Sequence, residues 1–379
     1  MVINIASLNE VMSAVNKKFK EELVGVGVRR KKYGKIPFTS MCLNYLTRGG
    51  IPRGVLIEFS VAEGSGKSTS SLDLVGNAQR LFQQEWEDEI KTLEEMSKRN
   101  KTQEEQLRLL KLTGAKKVVY IDVENTLDED WATTLGVDIE NLLVIQTTEQ
   151  SAEDIFQIIL DMIPTNEIGL IILDSLGAMT SKQAFEKQMD EKTYGGISQP
   201  LTTFSKKVTG LCADTGTTLL AINQLRDNLN STYGGTVTTG GRGWKHQCSL
   251  RLQFNKGRFV DNKNAELTNG AENVAGAYSE VVVVKNKVTK PDRRMAKFII
   301  KFEEGIDKYA DIIFLGEHFG LISKGGAWYQ FINTETGEIF TDENGEVKLQ
   351  GQGKVIEYLK ARPELYEDLA TRLIELCSE

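Results

Sequence analysis

Between residues 54 and 306 the chain is dominated by short apolar runs with almost no polar interruption. Val55–Phe59 (VLIEF), Val118–Asp122 (VVYID), Leu142–Gln146 (LLVIQ), Gly169–Asp174 (GLIILD) and Thr218–Asn223 (TLLAIN) are the clearest. Runs of this length without alternation predict parallel strands buried on both faces, with helices between them. Ser279–Val284 and Ala296–Phe302 predict further strands of the same sheet. Ahead of this α/β region, Leu8–Glu22 predicts a helix with Val11, Val15 and Phe19 along one face. So narrow a stripe serves equally to pack on another subunit or on the chain's own core. Residues 83–114 interrupt the strand pattern with a highly charged stretch. Trp86, Ile90, Leu93 and Met96 fall at helical spacing, and Thr102-x-x-Glu105 reads as a capping box opening a second helix with Leu107 and Leu110. This predicts a helical hairpin inserted into the main fold. After about residue 307, strand-like runs around a turn at Glu335–Gly337 precede helices over Val355–Lys360 and Glu364–Leu376, a small α+β region.

Composition narrows the class. The chain has 379 residues, 40% hydrophobic and 26% charged, enough for one large globular domain with appendages. No apolar run approaches the roughly 20 residues that cross a bilayer. Residues 1–20 lack a basic-then-apolar signal layout, so a cytoplasmic protein is expected, with no membrane partner. Cys42, Cys212, Cys248 and Cys377 lie far apart and predict reduced, buried thiols. With only His246 and His318, a histidine-based metal centre is not expected. The net charge of −7 is unevenly spread. Lys285–Lys301 holds seven basic residues against Asp292, while Glu85–Glu105 holds eight acidic residues against four basic ones. Such segregation favours a designated anionic partner over a uniformly basic coat.

The candidate chemistry begins where VLIEF runs into SVAEGSGKSTSS. A glycine-rich loop between strand and helix lets backbone N–H groups wrap phosphate oxygens, aided by the helix dipole. Glu63, Gly64, Ser65, Gly66, Lys67, Ser68 and Thr69 would form this ATP-binding loop, with Lys67 reaching the β- and γ-phosphates and Ser68 ligating Mg²⁺. The motif wants glycine at position 61, where Val61 stands. Asp174 ends an apolar strand, the form of a Walker B carboxylate that holds Mg²⁺. Glu124, at the end of VVYIDVE, is placed to orient and deprotonate an attacking water.

The order of these motifs resembles the RecA recombinase family, of the bacterial type, from about Leu8 to the end of the sequence apart from residues 83–114. The specific matches are Arg48-Gly49-Gly50-Ile51-Pro52-Arg53-Gly54, Ile121-Asp122-Val123-Glu124 with Leu127-Asp128, Leu173-Asp174-Ser175-Leu176, and Ala221-Ile222-Asn223-Gln224-Leu225-Arg226. The resemblance implies a RecA-type P-loop core with a mostly parallel sheet flanked by helices over 34–306. It also implies an N-terminal helical polymerisation segment over 1–33 and a C-terminal α+β DNA-gateway domain over 307–379. By the same resemblance Glu124 is the catalytic carboxylate, Asp128 contacts the adenine amine, Trp131 stacks on adenine, and Gln224 senses the γ-phosphate. Phe302 would close over a neighbour's adenine, and Lys285 and Lys287 would reach the neighbouring protomer's ATP as trans-acting cations.

Two DNA-binding loops are implied as well. The first spans roughly Met189–Ser198 with Tyr194, Gly195 and Gly196 at its tip, and Lys207 follows on its trailing helix. The second, residues 226–245, is rich in Gly, Thr, Ser and Asn, a composition that suits a segment structureless until DNA arrives. It offers Arg226, Tyr233, Gly240, Gly241, Arg242 and Lys245 to DNA, and Lys354 would contact duplex phosphate in the C-terminal domain. The implied activity is a DNA-dependent ATPase that uses ATP and Mg²⁺. It forms a helical homo-oligomeric filament on single-stranded DNA and exchanges strands with double-stranded DNA. A ring-forming ATPase of the same fold and a nucleotide-binding module with an inactive site are the alternatives. Val61, Lys207 in place of an arginine and His246 in place of an aromatic mark a divergent member.

Overall fold

The computed structural model describes residues 8–19, 33–62, 64–185, 196–227, 236–268, 270–333 and 336–378. The chain divides into two compact units, residues 1–32 and 33–379. In the first, a helix covers Leu8–Phe19, with Glu10 in its first turn and Lys17 and Lys18 in its last, each sign suited to its end of the helix dipole. Residues 20–22 of the expected helix, and the basic cluster before Tyr33, lie outside the described residues.

The second unit is built on a ten-stranded sheet. Its strands are β1 (Leu56–Val61), β2 (Lys117–Asp122), β3 (Leu142–Gln146), β4 (Ile168–Asp174), β5 (Thr218–Asp227), β6 (Thr236–Thr238), β7 (Leu250–Val260), β8 (Gly276–Asn286), β9 (Met295–Lys301) and β10 (Gly305–Ile306). They lie in the order β10-β9-β8-β7-β1-β5-β4-β2-β3, with β6 paired to the end of β5. From β7 to β3 every pairing is parallel, whereas β7 to β10 form an antiparallel extension.

The apolar runs behave as a sheet covered on both sides requires. In β1, Ile57, Phe59 and Val61 enter one core and Leu56 the other; in β4, Leu170 and Ile172 alternate with Ile171 and Leu173. Period-two alternation thus hides inside an unbroken hydrophobic string. β3 departs from the expectation of burial on both faces: Leu143 and Val144 are exposed. LLVIQ reads like its neighbours but lies last in the strand order, and position in the sheet decides its burial.

The helix after β1 runs without a break over Lys67–Glu95. Leu72, Leu74, Val75, Ala78 and Phe82 bury its first half, and its second half is the first arm of the inserted hairpin. The second arm, Lys101–Thr113, is capped by Asn100, whose side chain accepts from the Gln103 N–H while Gln103 accepts in return from the Asn100 N–H. The Thr102/Glu105 capping box is therefore incorrect. Both residues lie inside the helix, because Asn100, two positions earlier, already satisfies the free N–H groups. The Trp86 indole donates to the Leu110 carbonyl at 2.8 Å and ties the arms together.

Beyond β10, the helix Lys308–Phe319 is capped by Asp307, and a three-stranded sheet of Ile322–Gly325, Trp328–Phe331 and Leu349–Gln350 follows. Helices Gln352–Lys360 and Pro363–Ser378 end the described chain. Ile312, Ile313, Phe331, Leu359, Leu369 and Leu373 share one continuous core with Phe59, Leu252 and Phe298 of the large sheet. All four cysteines are buried and free.

Candidate active site

β1 carries the chain to the phosphate loop. Val61 is buried and continues the strand, in register with Gln224 of β5 and Phe254 of β7. An extended residue needs no glycine, so the valine is accommodated as the last residue of β1. The left-handed backbone falls later, at Gly64 (φ +66°) and Gly66 (φ +86°). The loop is braced from within by Ser65 Oγ donating to the Ala62 carbonyl at 2.7 Å. From β8, Ser279 Oγ donates to the Ser65 carbonyl at 2.8 Å. A side chain at Gly66 would strike Ile300 of β9, so β8 and β9 wall the loop. The helix starts at Lys67, directing the N–H groups of its first turn, around Ser68 and Thr69, toward the loop.

Three neighbouring strand ends complete the site. Asp122 of β2 and Asp174 of β4 are partners in the parallel ladder. The Lys67 ammonium lies 3.7 Å from Asp174 Oδ1 and 3.6 Å from Glu124 Oε2. Tyr120 donates its hydroxyl to Asp174 Oδ2 at 2.8 Å. Burial holds the Asp174 carboxyl above the usual range, opposed by Lys67 and by the Tyr120 hydrogen bond. Glu124 Oε1 accepts from Ser175 Oγ at 2.5 Å and from Gln224 Nε2 at 2.8 Å. Asp122 anchors the loop carrying Glu124 by accepting from the Thr126 and Leu127 N–H groups.

A divalent cation fits this donor set. Asp174 Oδ1 is buried and makes no hydrogen bond, leaving a carboxylate oxygen free beside the phosphate loop. No cluster of three or more His, Cys, Asp or Glu side chains suited to a metal occurs among the described residues.

Comparison with known proteins accords with this geometry. Residues 107–307 match the model of the RecA N-terminal domain. The chain is 31% identical over 342 residues to Protein RecA of Bacteroides thetaiotaomicron, covering 90% of this chain and 87% of that one. It is 30% identical over 376 residues to Protein RecA of Salinispora arenicola, covering 97% and 91%. For Protein RecA of Thermus thermophilus the identity is 29% over 378 residues, covering 98% and 95%. The chain belongs to the RecA family. The matched domain begins inside the second arm of the hairpin, so in this RecA-family chain the insertion separates the phosphate loop from the matched stretch.

The other candidate residues are distributed as follows. Asp128 caps the helix Glu129–Thr134 by accepting from the Trp131 N–H at 2.9 Å. Trp131 is half-buried, and its indole N–H reaches Thr69 Oγ1 of the phosphate-loop helix at 3.3 Å. Phe302 is exposed and meets Phe259 edge-on. It directly follows the last residue of β9, Lys301, two positions after the Ile300 that abuts Gly66.

The second loop is more ordered than its composition predicts. β5 runs on to Asp227, and Thr236–Thr238 pairs back on it, so Gln224 sits within a strand rather than at its end. Helix Gly241–Gln247 follows, carrying Arg242 and Lys245, with Gly240 (φ +100°) and Gly241 (φ +63°) at its start. Residues 226–245 are therefore not one structureless loop. Backbone pairing takes up 226–227 and 236–238 and the helix 241–245, whereas 228–235, Tyr233 among them, lie outside the described residues. Glu63, Tyr194 and Gly195 also lie outside them. Arg226 donates to the Gly177 carbonyl at 2.8 Å. Gly196 precedes the helix Ser198–Thr215, on which Lys207 lines a cleft with Glu153, Phe156 and Gln157. Lys354 is exposed in the first turn of its helix.

Lys285 donates to the carbonyls of Lys245 (2.5 Å) and His246 (2.9 Å), and Lys287 to that of His246 (3.0 Å). Both ammonium groups thus hold the C-terminal carbonyls of the helix that follows the second loop. Burial and the neighbouring Lys287 lower the Lys285 pKa.

Sequence reasoning passed over Tyr120, Asp122 and Ser175, which orient the two site carboxylates. It also passed over Glu58, whose one visible signal is a charge in the middle of the apolar run VLIEF.

Proposed function

We propose that this chain is an ATP-dependent recombinase that forms helical filaments on single-stranded DNA and drives homologous pairing and strand exchange with duplex DNA. The observation that carries the reading is Glu124, held on one oxygen by Gln224 and faced on the other by Lys67. The residue suited to activate water is thereby wired to the strand that continues into the second DNA-binding segment.

In this reading the phosphate-loop N–H groups and Lys67 bind the ATP phosphates, while Ser68 and Asp174 hold Mg²⁺. A divalent cation held there by Ser68 and Asp174 would supply positive charge to offset the negative charge that develops on the phosphates. Lys67 and Gln224 turn from Glu124 to the γ-phosphate. Glu124 is then free to orient a water and take its proton. Trp131 presents its aromatic face to the base and Asp128 its carboxylate to the adenine amine, while Phe302 closes over the neighbouring protomer's adenine. Lys285 and Lys287 leave their own helix carbonyls for the neighbouring protomer's ATP, so assembly and turnover share one site. Gly196, Lys207, Arg226, Gly240, Gly241, Arg242 and Lys245 face single-stranded DNA. Residues 1–33 serve polymerisation, and 307–379, with Lys354, admit the duplex. The proposed setting is the cytoplasm. No helix among the described residues is long and apolar enough to cross a membrane.

The test is ATP turnover with and without single-stranded DNA, alongside electron microscopy of the same samples. DNA-stimulated turnover and helical filaments are expected, with affinity for DNA falling as salt rises. Discrete rings, or turnover indifferent to DNA, would overturn the proposal.

A further inference from the structure

Two buried polar anchors hold the short segment Thr239–Trp244, and neither reaches the nucleotide or presents itself to DNA. The first is Asn223 of β5, which is fully buried. Its Nδ2 donates to the Thr239 carbonyl at 2.9 Å, and its Oδ1 accepts from the Thr239 N–H at 3.2 Å. The side chain thus continues the pairing of β5 with the returning chain, where the backbone ladder stops at Leu225 and Thr238. The second anchor is Glu58 of β1, also fully buried. It accepts from the Trp244 indole N–H at 2.6 Å and from Arg251 of β7 at 3.0 and 3.3 Å. Trp244 itself is completely buried.

The placement of these anchors matters more than their strength. Successive side chains of a strand point to opposite faces. Asn223 therefore reaches the returning segment while its neighbour Gln224 reaches Glu124 in the active site. Three residues beyond Glu58, β1 ends and the phosphate loop begins. Between the anchors lie Gly240 and Gly241. The same segment packs on the helix behind the first loop, with Gly240 against Leu201 and Gly243 against Thr202. A buried ion pair with an added indole donor fixes geometry firmly, because any displacement strands a charge in the core.

We infer that Asn223 and Glu58, the latter through Trp244, are positioning residues that transmit the state of the nucleotide site to the DNA-binding segment. The inference rests on the function proposed above. When Gln224 exchanges Glu124 for a phosphate oxygen, the end of β5 shifts and Asn223 carries Thr239 with it. Glu58 holds the other end of the segment to β1, so the glycine pair is re-aimed rather than merely loosened.

The test uses the full chain and a fluorescent oligothymidylate, comparing affinity in the presence of ADP and of a slowly hydrolysed ATP analogue. Trp244→Phe keeps an aromatic filler and removes the indole donor; Asn223→Ala removes both hydrogen bonds to Thr239. Each variant is expected to lose most of the affinity ratio between the two nucleotides, about tenfold or more for a coupling of ordinary size. Turnover without DNA should stay within about twofold, since neither side chain meets the nucleotide. Wild-type ratios in both variants would sink the inference while leaving the function standing. If Asn223→Ala fails to fold, Trp244→Phe decides alone: a retained ratio overturns the inference. A wild-type chain whose DNA affinity ignores the nucleotide overturns the functional proposal, and this inference falls with it.

Discussion

Two of the places where the chain buries carboxylates treat them in opposite ways. At the nucleotide site Asp174 and Glu124 share a single ammonium, Lys67, at 3.7 and 3.6 Å, and Asp174 keeps one oxygen without a hydrogen bond. At the seam between helix Met41–Thr47 and the C-terminal region, Asp311 is fully buried. It accepts from Ser40 Oγ at 2.5 Å and from the Cys42 N–H at 3.2 Å on the same oxygen, and burial pushes its carboxyl up to about 7. The first arrangement leaves room for a cation and a phosphate. The second is satisfied by neutral donors and closes on itself. Burial alone therefore does not mark a functional acid; a carboxylate oxygen without a hydrogen bond beside the Lys67 ammonium does.

The comparison breaks most easily at Glu124. Glu124→Gln keeps the acceptor for Ser175 and Gln224 but removes the base. Turnover should fall by about 100- to 10,000-fold, the usual contribution of a general base, while nucleotide binding survives and DNA filaments persist. Steady-state turnover checks the first, and filament lifetime by microscopy the second. Undiminished turnover would remove Glu124 from catalysis and erase the distinction between the two regions.

How much of this contrast the sequence carried follows from distance along the chain. Lys67 and Ser68 belong to one contiguous motif, Asp174 ends a recognisable strand, and Glu124 lies two residues beyond another. The site was legible because its chemistry is local to strand ends. Asp311 was invisible, since its partners Ser40 and Cys42 are 271 and 269 residues away. The same limit hid the exposure of Leu143 and Val144, which depends on β3 being the last strand in the order. The second loop misled for another reason. Its glycines and threonines suit a structureless segment, yet Thr236–Thr238 finds a partner in β5, and Gly240 and Gly241, both at positive φ, turn the chain from that strand into a short helix.

At the seam the expected effect is on stability and on its pH dependence. A carboxyl whose folded pKa lies above its unfolded value of 3.8 binds its proton more tightly in the folded state. It therefore favours folding at low pH, and that contribution is lost as pH rises through about 7. From pH 5 to pH 7, at about 1.4 kcal/mol per unit, the loss comes to about 3 kcal/mol. Asp311→Asn has no proton to lose. Relative to the variant, the wild-type chain should weaken by this amount between pH 5 and pH 8 in denaturant titrations. DNA-stimulated turnover of the variant should match the wild type wherever both are folded. Parallel stability curves would show that Asp311 does not titrate in this range, and lost turnover would make the seam part of the machinery.

The inserted hairpin supplies the lower limit of the comparison, an acid that is neither buried nor poised. Glu94 pairs with Lys111 across the two arms, and both side chains are about half exposed. Water solvates such a pair nearly as well apart as together, and ordering two long side chains costs entropy that offsets the attraction. Lys111→Ala should therefore cost under about 1 kcal/mol, less in high salt, and leave turnover unchanged. Trp86, whose indole bonds to the Leu110 carbonyl, provides a stronger tie between the arms, so the hairpin should survive the loss of the ion pair. A larger loss of stability, insensitive to salt, would mean that the pair is shielded by a contact that assembles only between protomers. A loss of DNA-stimulated turnover would go further and connect the acidic arm to the active site, which the geometry of the single chain does not do.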